Sequence, residues 1–182
     1  MKYILFLTLI IGIISYTDNE KQVWDFLINR ARYTKAGAAG LMANLKVLSG
    51  IRSVYYEDAY KPILGLSDQE YVDQVNDGRY PQNEFIQDGV GFGLALWSYY
   101  SRKENLMNTW IKRGFKLNIG DLGGQLEFLV IELRNYWPRL DKLLKSSNSV
   151  YDCAYRVLFD YVNPKDQSYS FNNIYNFRSR LL

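Results

Sequence analysis

From residue 19 to residue 162 the apolar side chains recur at three- and four-residue intervals, with few interruptions. That period selects α-helices and leaves little room for a sheet. Residues 19–33 place Val23, Trp24, Phe26, Leu27 and Ala31 along one face. Residues 35–48, rich in Ala, follow and close on Gly50. Ser67 and Glu70 have capping-box spacing, so a helix should start there, run to about Val75 and stop at Asn76-Asp77-Gly78. Further helices are expected over 98–113, ending at Gly114, and over 121–135 with Asp121 at the N-terminus. Trp137-Pro138 breaks the pattern, 139–145 is a short helix, and Ser149 with Asp152 caps a helix to Val162. Pro164 ends that element, and 171–182 reads as a closing helix. The YYEDAY stretch before Pro62 and residues 80–88 around Pro81 read as loops.

One segment departs from the helical period. DGVGFGLALW, residues 88–97, alternates three glycines with larger residues. It suits a tight turn or small hairpin where backbone comes close to something else. The expected fold is mainly α, one domain of 182 residues. With 48% hydrophobic and 23% charged residues the chain can bury a substantial core.

Residue types exclude several chemistries. There is no histidine, which removes Ser-His and Cys-His nucleophile pairs and histidine metal sites. Cys153 is the single cysteine, so no intrachain disulfide forms, and its DCAYRVLF context reads as a small buried hydrophobe. No cofactor or metal is expected. The net charge is +3 and its Lys and Arg are dispersed, unlike the clustered excess of a nucleic-acid binder. Aromatics reach 16%, including 16 Tyr. Such rings either pack or stack on sugars.

Lys2 followed by the 11-residue apolar run ILFLTLIIGII and then Ser15 is the pattern of a secretory signal peptide. The run is short of the ~20 residues a membrane span needs. The expectation is a signal over 1–15, a mature domain over 16–182, and a secreted or lumenal protein without a stable membrane span.

Four motifs in order then carry a family resemblance: LMANLKVLSG, LSDQEYVDQVNDGRY, GVGFGLALWSYYSRKENL and IGDLGGQLEFLVIEL. Together they resemble the phage tail lysozyme family of the lysozyme-like superfamily, whose patterns read roughly GLMANLYAESG, LG-S-D-x-x-Y, GYGLAQW and IGDL…QLEFL…EL. The resemblance runs from about Val23 to Val162. The YVNPKDQS stretch and Arg178 are also similar to the family's proline-containing loop and closing helix. It implies a lysozyme-like domain with a small hairpin beside a cleft, acting on a peptidoglycan-type glycan.

Two positions depart from the family pattern. Its catalytic glutamate precedes Ser-Gly, and here Leu48 precedes Ser49-Gly50. Its glutamine precedes the motif tryptophan, and here Leu96 precedes Trp97. Leucine cannot transfer a proton, and between Lys21 and Tyr56 the only acid is Asp25, on another helix. Two polar cleft positions turned apolar suggest a packed cleft floor and a lost catalytic acid. Candidate replacement acids are Asp88 and Glu57, with Asp58 beside it. Each also reads as a solvated loop carboxylate or turn cap. Glu127 and Glu132 read as exposed helix charges. Candidate substrate-binding residues are Ser49, Gly91, Gly93, Tyr99, Tyr100, Tyr55, Tyr56 and Arg102, with Trp97 assigned to the core. Three functions remain open: an inactive glycan-binding relative, a hydrolase with a relocated acid, and a structural subunit with protein partners in a larger assembly.

Overall fold

A computed structural model describes residues 17–111 and 118–163. The expected signal segment, Lys112, Arg113, Gly114, Lys116, Pro164, the closing helix and Arg178 lie outside the described residues. The domain is mainly α, as the apolar period requires.

Helix α1, Asp18–Asn29, opens on a Thr17–Glu20 capping box and ends before Arg32, whose φ is 62°. Ala31 and Tyr33 are buried but follow the helix, which is shorter than the expected 19–33. Helix α2, Lys35–Ser49, is capped by Thr34 and closed by Gly50 in the left-handed conformation. Two short helices replace expected loops: α3, Lys61–Leu64, and α5, Gln82–Gln87. The prolines that argued for loops instead sit at helix starts, where a missing N–H costs nothing. Pro62 lies in the first turn of α3, and Pro81 is the N-cap of α5. Helix α4, Asp68–Asp77, keeps the expected Ser67–Glu70 box and ends at Gly78.

Helices α6, Tyr100–Ile111, and α7, Leu122–Tyr136, follow, the latter capped by the Asp121 carboxylate. Helix α8, Pro138–Ser146, turns off at Trp137. Helix α9, Val150–Arg156, is capped by Ser149 and continues as a π-helical turn, Val157–Val162.

Helix α2 is the axis of the domain, packed against α1, α8 and α9. Every residue from Ala36 to Leu45 is buried. Its small side chains permit this. A Cβ on Gly37 would lie 2.0 Å from the Leu144 carbonyl oxygen, and one on Gly40 would lie 2.5 Å from Cys153 Cβ. Two neighbouring backbones therefore approach α2 as closely as glycine allows. Cys153 is buried in that contact, as expected.

Candidate functional site

The last turn of α2 behaves differently from the rest. Leu48 is half-buried, while Ser49 faces inward. The Ser49 hydroxyl donates to the Leu94 carbonyl at 2.9 Å, which brings the end of α2 against the glycine-rich segment. That segment is a minimal hairpin. Phe92 bridges antiparallel to both Tyr56 and Trp97. Gly93 N–H donates to the Tyr55 carbonyl at 2.8 Å, and Glu57 N–H to the Gly91 carbonyl at 2.8 Å.

Gly93 has φ +70°, and a Cβ there would lie 2.5 Å from the Gln125 amide oxygen. Gln125 explains the requirement. It accepts from Leu94 N–H at 2.9 Å and donates to the carbonyls of Ser53 and Ile119 at 2.9 and 2.7 Å. A single buried amide of α7 thus joins three chain segments. Only the QLEFL stretch signalled it.

Glu57 is half-buried and reaches the same place. Its carboxylate accepts weakly from Gly91 N–H at 3.4 Å. A Cβ on Gly91 would meet Glu57 Oε2 at 3.0 Å and the Leu96 Cβ and Cδ2 atoms at 3.4 Å. Gly91 is therefore flanked by an acid on one side and an apolar side chain on the other. Leu96 carries φ 47°, an unusual conformation for leucine, closed by its N–H bond to Gly93 at 3.1 Å. Leu96 and Leu48 are both half-buried rather than core residues, so the expected packed floor is at most a partly covered one.

Asp88 is built into the scaffold. Its carboxylate accepts from Lys103 at 2.5 Å, Tyr71 at 2.6 Å, Val90 N–H at 2.8 Å and Tyr80 at 3.3 Å. Lys103 is fully enclosed, its ammonium also donating to the Val90 carbonyl and lying 4.1 Å from the Phe85 ring centroid. Burial pulls that ammonium down to about 8, against the opposing pull of Asp88. Burial, then the Asp88 charge, holds the Tyr71 hydroxyl far above its ordinary range and takes Tyr80 up to about 12.

Glu132 corrects an expectation. It is not an exposed helix charge but 2% exposed. It accepts two bonds from Arg102, at 2.7 and 2.8 Å, and others from Trp97 Nε1 at 3.0 Å and the Tyr161 hydroxyl at 2.6 Å. Arg102, expected to meet substrate, is committed to this pair, its guanidinium 4.6 Å from the Tyr161 ring centroid. An amphipathic reading of α7 missed this because the carboxylate is neutralised from α6.

The aromatic candidates separate into two groups. Tyr56 is buried and donates to the Leu66 carbonyl, and Tyr55 is buried under the Arg52 guanidinium, 3.9 Å from its centroid. Neither offers a free face, which corrects their assignment as stacking rings. Tyr99 and Tyr100 are 66% and 61% exposed and stack on each other with centroids 5.7 Å apart. Trp97 is wholly buried against Phe128.

The profile of the phage tail lysozyme family matches residues 18–177, nearly the whole chain. The chain belongs to the phage tail lysozyme family. No individual curated protein matches it. Membership in the phage tail lysozyme family points to a peptidoglycan-related function. Among the described residues no group of three or more acids and cysteines is gathered as a metal site, and no helix is long and apolar enough to cross a membrane.

Proposed function

We propose that this member of the phage tail lysozyme family is an exported protein without glycosidase activity that binds a peptidoglycan-type glycan. What supports the reading is Leu48 before Ser49-Gly50, where the resemblance puts a glutamate. Glycoside cleavage needs a proton for the leaving oxygen and a second carboxylate to assist. Leu48 supplies neither, and loss of a general acid alone forfeits roughly 10²–10⁴ in rate. Asp88 is poorly suited to replace it, because four donors already occupy its two oxygens. Tyr99 and Tyr100 are the exposed rings suited to stacking on sugars. The apolar run after Lys2 supports export.

A second reading has one observation in its favour. Glu57 lies against Gly91 and opposite Leu96, at the edge of the same junction. A hydrolase using Glu57 as its relocated acid would be the consequence.

Incubation with purified insoluble peptidoglycan tests both. The proposal expects retention on the pellet at low salt, release of no reducing ends, and retention that drops several-fold in a Tyr99→Ala, Tyr100→Ala variant. Release of reducing ends that Glu57→Gln abolishes would replace it with the second reading. Neither retention nor release would leave a structural subunit.

A further inference from the structure

Residues of α6 and α7 line a depression of about 150 Å³. It shares no lining residue with the junction around Leu48 and Glu57. Asn105, Asn108 and Thr109 line it from α6, and Asn135 and Tyr136 from α7, over a floor of Phe128 and Ile131. Three carboxamides converge here, and they are sparingly used. Asn105 makes one long bond to the Tyr136 hydroxyl, at 3.4 Å. The side chains of Asn108 and Asn135 make no hydrogen bond among the described residues.

Their chemistry limits the ligand. No Lys or Arg lines the depression, and its single acid, Glu132, is spent on Arg102, Trp97 and Tyr161. Neither an anion nor a cation finds a free counter-charge. Carboxamides both donate and accept, which matches vicinal hydroxyls and an acetamido group. The apolar floor and the 60% exposed Tyr136 ring suit the C–H face of a sugar. Pockets for drug-sized ligands run to roughly 300–1,000 Å³, so this volume fits a single ring. We propose that the α6–α7 depression is a second saccharide site, for one neutral N-acetylated hexose unit, separate from the α2–hairpin junction.

The test is a titration of the whole chain with N-acetylglucosamine, followed by the Asn side-chain N–H₂ and the backbone amide resonances. A second titration uses an N-acetylated dipeptide amide. The expected result is saturable shifts of Asn105, Asn108 and Asn135 with the sugar, at roughly millimolar affinity. The pair Asn108→Ala, Asn135→Ala should weaken them at least about 5-fold, one hydrogen bond's worth. Shifts with the dipeptide alone, shifts that survive the double variant, or silence at these three resonances would overturn the proposal. Shifts confined to Gly91 and Leu96 would overturn it too, while supporting sugar binding at the junction. Retention on peptidoglycan is scored separately, so either idea can fail alone.

Discussion

The Lys103 ammonium lies 2.5 Å from the Asp88 carboxylate, with Lys103 fully enclosed. The pair joins the start of the glycine-rich segment to α6, and with the hydroxyls of Tyr71 and Tyr80 it forms a closed polar knot inside an aromatic shell. The knot holds a hairpin that has one isolated bridge of its own, Phe92–Trp97, and a second to Tyr56.

Lys103→Met leaves the Asp88 charge enclosed and uncompensated, and should cost roughly 3–5 kcal/mol. Urea unfolding followed by far-UV circular dichroism measures it. Adding Asp88→Leu removes the orphaned charge and should recover a large part of the loss. A double variant no more stable than Lys103→Met would show that the pair does not act as a unit.

The pH dependence has two limbs of opposite sign. Lys103 has a folded value near 8, below the ordinary 10.5, so across that interval the unfolded chain binds the extra proton and stability rises with pH. Tyr33, Tyr71 and Tyr161 are all held above the ordinary 10, first by burial. Their contribution is complete below pH 10 and is lost as pH climbs beyond it. Stability should therefore rise from pH 8 and peak near pH 10. Phenolate absorbance should show these three tyrosines ionising only together with unfolding.

Gly37→Ala drives a methyl group into the Leu144 carbonyl, 2.0 Å away, and should cost more than the roughly 1–3 kcal/mol of ordinary overpacking. Gly65→Ala is the control. Its φ is +65° but its surroundings are open, so only the backbone penalty of roughly 1–2 kcal/mol applies. Thermal midpoints should rank wild type, Gly65→Ala, then Gly37→Ala.

Leu48→Glu combined with Leu96→Gln should be tolerated, since both side chains are half-buried. Slow release of reducing ends from peptidoglycan is expected of the double variant, and Glu57→Gln on that background should abolish it. A folded double variant that releases nothing would show that the junction has changed at more than these two positions.

The helices were readable because their signals are local. The Ser67–Glu70 box, Asp121 and the Ala-rich run before Gly50 each act within one turn of their own residue. Pro62 and Pro81 misled because proline breaks a helix interior and starts a helix equally well. The candidate site was less legible. Glu132, Gln125 and Lys103 look like surface residues of amphipathic helices, and partners 15 to 72 residues away in sequence hold them inside.

 The separations are 72 residues for Gln125 and Ser53, 30 for Glu132 and Arg102, and 15 for Lys103 and Asp88. Local periodicity carries no record of such pairings.

Helix α2 divides at Leu45. From Ala36 to Leu45 every residue is buried, and at Gly37 and Gly40 any side chain would collide with a neighbouring helix. The final turn is different: Lys46, Val47 and Leu48 face partly outward, with only Ser49 turned in to hold Leu94. One helix therefore carries two regimes of substitution. Its first three turns are frozen by geometry, whatever the protein does. Position 48 lies outside that constraint, half-buried a single turn beyond the run, so its side chain can change in polarity with little effect on the packing that defines the fold.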